Sequence, residues 1–159
     1  MNKIANVKAG FTPAFTMIEL IFVIIVIGIL SAIAIPKLAA SRDDAVLVKG
    51  KSQIAAIRSG IAMQKSKRLL EGKVPFVPVT LDKNTSPTSL FHDGDYGNIL
   101  EYGLPIGSKD GQWARVSQNA NKSVYKFHLG GTAVQFDYNA SSGIFDCDHA
   151  IQNCKDLTQ

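Results

Sequence analysis

The stretch AFTMIELIFVIIVIGILSAIAIP, Ala14 to Pro36, decides how the rest of the chain is read. From Leu20 to Ile35 it carries no charge, and its only polar side chain is Ser31. A helix from Phe15 to Ile35, at 1.5 Å per residue, is about 31 Å long, enough to cross the hydrocarbon core of a bilayer. One residue breaks the run, Glu19. A carboxylate at that depth costs about 2.5–3.5 kcal/mol on insertion scales, and such groups usually have a partner. No Lys, Arg or His lies between Lys8 and Lys37, so no side chain of the span can neutralise it. The partner must come from another chain, or from a charge not yet present.

The residues before the run suggest where that charge arises. Residues 1–14 contain Lys3 and Lys8 and no acid, so the positive-inside rule keeps them in the cytoplasm and sends the C-terminal part across. Phe-Thr occurs twice, at Phe11-Thr12 and at Phe15-Thr16. A cut between Ala14 and Phe15 frees an α-amine four residues before Glu19, about one helical turn away. A cut after Gly10 leaves the amine eight residues away, with Pro13 close behind it. The first cut is the better chemical match. A secretory signal peptide is the rival reading, with Ser31-Ala32-Ile33-Ala34 as its cleavage site. Its apolar region would be shorter, and here the helical pattern continues past Pro36.

Ala14-Phe15-Thr16-Met17-Ile18-Glu19-Leu20, followed by the apolar run to Pro36, resembles the N-terminus of the type IV pilin and type II secretion pseudopilin family. The resemblance implies a prepilin with a basic leader at 1–14. A membrane-embedded prepilin peptidase would cut between Ala14 and Phe15 and N-methylate Phe15. The residue before the cut is usually Gly and here is Ala14. The family's assembly residues fall on Phe15, Glu19, Gly28 and Pro36. The implied product is a structural subunit of a type IV filament. Its partners would be other copies and other pilin-like subunits, an inner-membrane assembly platform with its ATPase, and membrane lipid before assembly. The implied location is the bacterial inner membrane, single-pass, with a periplasmic C-terminal domain, and then the pilus or pseudopilus. Two alternatives share this N-terminus: a type II secretion pseudopilin, and a minor pilin that binds DNA or a surface ligand.

Beyond Pro36 the apolar residues Leu38, Ala45, Val48, Ile54, Ile57 and Ile61 recur at helical spacing, with charged residues mostly between them. This predicts an amphipathic half-helix over 37–71, continuing the membrane half at 15–36. Pro36 should kink or loosen it, Gly50 and Gly60 should weaken it, and Glu71-Gly72 with Pro75 and Pro78 should end it. Residues 72–97 read as a connecting loop with room for a short helix. Five strand-like runs follow: Asn98–Tyr102, Trp113–Val116, Ser123–Leu129, Thr132–Tyr138 and Gly143–Cys147. Gly130-Gly131 between alternating runs signals a hairpin. The expected class is α+β: a long N-terminal helix packed on a small antiparallel sheet, with residues 72–159 as a β domain. The resemblance names this arrangement pilin-like.

The remaining chemistry is sparse. The formal net charge is +4, from 17 Lys and Arg against 13 Asp and Glu, and without Lys3 and Lys8 the basic count falls to 15. Such a balance says little about nucleic acid, and Lys65, Lys67 and Arg68 read first as a solvated helix face. Cys147 and Cys154 pair most simply as a disulfide outside the cytoplasm. The competing reading is a metal site with Asp146, Asp148 and His149, at a spacing that matches no standard zinc pattern. Asp93, Asp95 and Asn98 on a Gly-rich turn form a weak calcium candidate that lacks the closing Glu of an EF-hand. No phosphate loop, nucleophile elbow or paired zinc motif occurs, so an enzyme is not expected.

Overall fold

The computed structural model describes residues 15–83 and 88–159, with backbone only at 35, 36 and 38–40. Helix α1 (Met17–Glu71) runs for 55 residues. It stops where Gly72 turns left-handed at φ 64°. There the Gly72 N–H donates to the Leu69 carbonyl at 3.2 Å and the Lys73 N–H to the Arg68 carbonyl at 3.0 Å. Those two bonds satisfy carbonyls that the last turn would otherwise leave open. The chain divides into two units, Met1–Ala40 and Ser41–Gln159.

The C-terminal unit is α+β. Two short strands, β1 (Ser89–Leu90) and β2 (Leu104–Pro105), pair with each other. Strands β3 (Trp113–Gln118), β4 (Lys122–Leu129), β5 (Thr132–Asn139) and β6 (Ile144–Cys147) form an antiparallel sheet in that order. A short helix, α2 (Gln152–Thr158), closes the chain. Register follows from the turns. Leu129 pairs with Thr132 across Gly130 and Gly131, whose φ values of 57° and 72° suit a two-residue turn and favour glycine at both places. Tyr125 then faces Phe136, and Phe127 faces Val134. All four are buried, while Lys126 and Gln135 between them point the other way.

Residues Ile54, Ile57 and Ile61 of α1 enter the same core, at the spacing that puts them on one helix face. Trp113 lies among aromatic rings, 5.0 Å from Phe127, 5.3 Å from Phe136 and 5.7 Å from Phe91. Phe91 is fully buried although its φ is 63°, a region that side chains rarely adopt. Strain of that kind costs on the order of 1–3 kcal/mol and persists where surrounding packing enforces it.

Three expectations need correction. Residues 98–102 form no strand; Ile99 packs under α1 and the Leu100 N–H donates to the Phe91 carbonyl at 2.8 Å. No helix occurs among the described residues of 72–97, and α2 was not anticipated at all. Gly50 and Gly60 do not simply weaken α1. A Cβ at Gly50 would lie 2.6 Å from Leu157 and 2.7 Å from Phe127. One at Gly60 would lie 2.2 Å from the Ile99 carbonyl oxygen. These glycines are where helix and domain come closest.

Their substitution should therefore reverse the usual sign. Gly to Ala in a helix normally gains about 0.5–1 kcal/mol. Gly60→Ala should instead lose about 1–3 kcal/mol, because backbone must move. Thermal unfolding followed by Trp113 fluorescence measures this, and an unchanged or raised midpoint would contradict the close approach.

Candidate functional site

The first turn of α1 answers part of the Glu19 problem. The Thr16 carbonyl accepts the Leu20 N–H at 3.1 Å, so Thr16 caps the helix. Its Oγ1 accepts the Glu19 N–H at 3.2 Å, and its own N–H donates to Glu19 Oε2 at 3.4 Å. This reciprocal pair is a capping box, and Thr-x-x-Glu before an apolar run is its sequence signature. Sequence reasoning looked for a charged partner and passed over a backbone one. Phe15 and Gly28 are both exposed, and nothing lies within 4 Å of where a Gly28 Cβ would stand. Ala14 lies outside the described residues, as does the side chain of Pro36.

From Met17 to Ala34 the helix is long and apolar enough to cross a membrane, and none of that window is buried within the protein. An isolated apolar helix in water would leave this surface hydrated at a cost of about 25 cal/mol per Å². The same helix in lipid satisfies its backbone internally and its side chains by solvation.

The part of α1 in the C-terminal unit holds a second uncharged surface. Opposite its buried face, Val48, Ser52, Ala56, Ser59, Met63, Ser66 and Leu70 are exposed at three- and four-residue spacing. Met63 is 75% and Leu70 90% exposed. The expected amphipathic pattern thus has neutral residues on both faces, with Lys49, Lys51 and Lys67 on the flanks. Small side chains at such spacing let another helix approach closely.

Arg58 turns inward and joins α1 to the end of the sheet. Its Nε donates to the Phe145 carbonyl at 3.0 Å and its guanidinium pairs with Asp146 Oδ1 at 2.8 Å. Beside this bond, Cys147 and Cys154 form a disulfide. The Cys147 N–H also reaches Asp146 Oδ1, at 2.9 Å, and the His149 imidazole lies 3.2 Å from Oδ2. Partial burial pushes the Asp146 carboxyl up, but the Cys147 N–H, His149 and Arg58 together bring it below its ordinary value. The ligand atoms of Asp146, His149 and Cys154 lie close together, yet the Cys154 sulfur is committed to the disulfide. Asp148, the third member of the metal reading, accepts the Ala150 N–H at 2.9 Å instead.

The calcium candidate is likewise occupied by the chain itself. Asp95 accepts the Thr80 N–H at 2.9 Å and also bonds its hydroxyl. Asp93 accepts the Lys83 N–H at 3.2 Å, and the Asn98 carbonyl accepts Gln64 Nε2 at 2.9 Å. These bonds fasten the 80–83 segment to the Gly-rich turn. Arg68 lies 3.5 Å over the Tyr96 ring and donates to the Pro75 carbonyl at 2.7 Å, leaving Lys65 and Lys67 as the exposed part of that basic group. A groove of about 520 Å³ beside Lys65, lined by Val74, Phe76, Asn121 and Ser141, carries no His, Cys, Asp or Glu.

Among the described residues, the buried carboxylate that the sequence did not flag is Asp82. It pairs with Arg115 and accepts the Tyr125 hydroxyl at 2.7 Å, while its carbonyl accepts Gln118 Nε2 at 2.6 Å. Burial raises the Asp82 carboxyl above its usual range, against the pull of Tyr125 and Arg115. Burial and the Asp82 charge raise the Tyr125 phenol in turn. The network holds a loop to β3 and β4.

Comparison with protein-family models, curated proteins and solved structures finds no match for this chain.

Asp146 makes a testable contribution to acid stability. A carboxyl depressed in the folded state stabilises the fold above its unfolded value, which is 3.8, and loses that contribution as pH falls through the folded value. Asp146→Asn should flatten the loss of stability below about pH 4 relative to the parent. Urea unfolding at pH 6 and pH 3 reads the difference, and equal acid sensitivity in both proteins would refute it.

Proposed function

We propose that the chain is a structural subunit of a type IV filament, a pilin or pilin-like protein. The observation that carries this reading is a carboxylate, Glu19, on the first turn of an apolar helix whose window from Met17 to Ala34 is unburied among the described residues. A membrane anchor alone could close the same cap with a neutral Gln, whereas an acid there raises the cost of insertion. A subunit that leaves lipid for a bundle of its own kind does have a use. Apolar surface suits both environments, and one buried ion pair fixes alignment better than it adds stability.

In this reading a prepilin peptidase hydrolyses the Ala14–Phe15 bond on the cytoplasmic side. Water adds to the carbonyl, the leader leaves as a carboxylate, and the freed Phe15 amine takes a methyl group from a sulfonium donor, which leaves as a thioether, so that the terminus is then protonated as a methylammonium. The ammonium of one copy pairs with Glu19 of its neighbour. The neutral outer face of α1, from Val48 to Leu70, supports a second stretch of helix contact outside the bilayer. The Cys147–Cys154 disulfide fits a domain that matures in an oxidising compartment. The type II secretion pseudopilus uses the same kind of N-terminus, so it belongs to the same proposal.

The decisive measurement is the mass of the N-terminal peptide from membranes with and without the peptidase. A peptide that begins at Phe15 and carries one extra methyl supports the reading; one that begins at Met1 in both strains ends it. Glu19→Ala should still fold its C-terminal unit, with the disulfide formed, but enter filaments poorly. Incorporation equal to the parent would remove Glu19 from assembly.

A further inference from the structure

The Glu19 carboxylate already has a partner on its own chain, and the nature of that partner has a consequence for assembly. The Thr16 N–H that it accepts belongs to the Phe15–Thr16 peptide bond. Hydrolysis at Ala14–Phe15 leaves that bond intact. The Thr16 hydroxyl, which accepts the Glu19 N–H, is equally unaffected. The box can therefore exist in the precursor and in the cleaved chain alike.

Resting on the filament reading, we propose that Thr16 is a positioning residue for Glu19. It holds the carboxylate over the chain's own first turn until a neighbour's ammonium replaces the backbone amide. Assembly is then an exchange of partners, and no stage requires a bare carboxylate in lipid. Three physical points support this. The N–H groups of a first helical turn lack helical partners, and in an apolar medium each must be satisfied locally. A carboxylate three residues after the cap also stabilises the positive end of the helix dipole. And both bonds of the box lie within one helical turn, so forming it requires no other part of the chain to be ordered.

The box and the ion pair make different demands on these two side chains. Gln at position 19 can accept the Thr16 N–H but carries no charge, whereas Ala can do neither. Ser at position 16 keeps the hydroxyl, and Val removes it at similar size. The test uses the full chain in detergent micelles, isotopically labelled, both as precursor and after cleavage. In the parent, the Thr16 amide proton resonance should follow ionisation of Glu19, as a donor bonded to a carboxylate does. Glu19→Gln should abolish that dependence but keep slow amide exchange at position 19. Thr16→Val should speed that exchange about fivefold, the usual scale for a lost cap, and uncouple the residue-16 amide from Glu19 ionisation. Thr16→Ser should restore both signals.

In filaments, Thr16→Val should slow incorporation and Thr16→Ser should restore it, while Glu19→Gln fails despite an intact box. If exchange and coupling in Thr16→Val match the parent, Thr16 does not position Glu19, whatever the filaments do. If the parent builds no filament while the box signals follow the stated pattern, the filament reading fails and the local pairing stands without its assembly role.

Discussion

An apolar helix that is unburied along its length needs a medium or a partner to cover it. This constraint governs the chain. Between Met17 and Ala34 no residue of α1 is buried among the described residues, and no charge interrupts it after Glu19. Lipid can cover it, and so can other helices of the same kind. The polar exception stands at the end of the run, where a capping threonine gives its carboxylate a backbone donor. Surface chemistry and helix-end chemistry therefore meet in the same four residues, Thr16 to Glu19.

The C-terminal unit solves a different problem. A small domain must bury enough surface to be stable while leaving one side of a long helix outside. It does so with large rings: Trp113, Tyr125, Phe127, Phe136, Tyr138 and Phe145 are all buried within one cluster. Two glycines let α1 come close enough to touch that cluster. Polar bonds then secure the loops, through Asp82 beneath the sheet and through Asp93 and Asp95 at the Gly-rich turn. Of these acids, Asp93 and Asp95 read from the sequence as metal ligands. Their work within the chain is invisible from spacing, because their partners lie 10 to 15 residues away.

Much of the architecture was legible in the sequence because it rests on local signals. The helix end at Glu71 was marked by Gly72, and the β4–β5 hairpin by Gly130-Gly131 between alternating runs. The Cys147–Cys154 pairing followed from having two cysteines close together. What escaped depended on distant contacts or on weak propensity. Residues 98–102 have strand-like composition, but Ile99 is used as a wedge against Gly60. Helix α2 has only 7 residues and no side-chain cap, so its placement depends on burying Cys154 and Leu157. The Thr16–Glu19 box is the opposite case: its signature, Thr-x-x-Glu before an apolar run, is local and present, and its donors are backbone N–H groups and not a countercharge.

The Arg58 bonds also determine how the C-terminal unit carries force. Arg58 is 87 positions before Phe145 in the chain, yet it grips that residue's backbone and the next side chain. Strand β6 is an edge strand, held to β5 on one side only. A tug on this part of α1 thus arrives directly at the sheet margin, without first travelling through three hairpins. The disulfide lies immediately beyond the point of arrival and ties the same strand to α2. Tension applied along the helix is in this way shared at once with the last elements of the chain, and the covalent staple stands where the load enters.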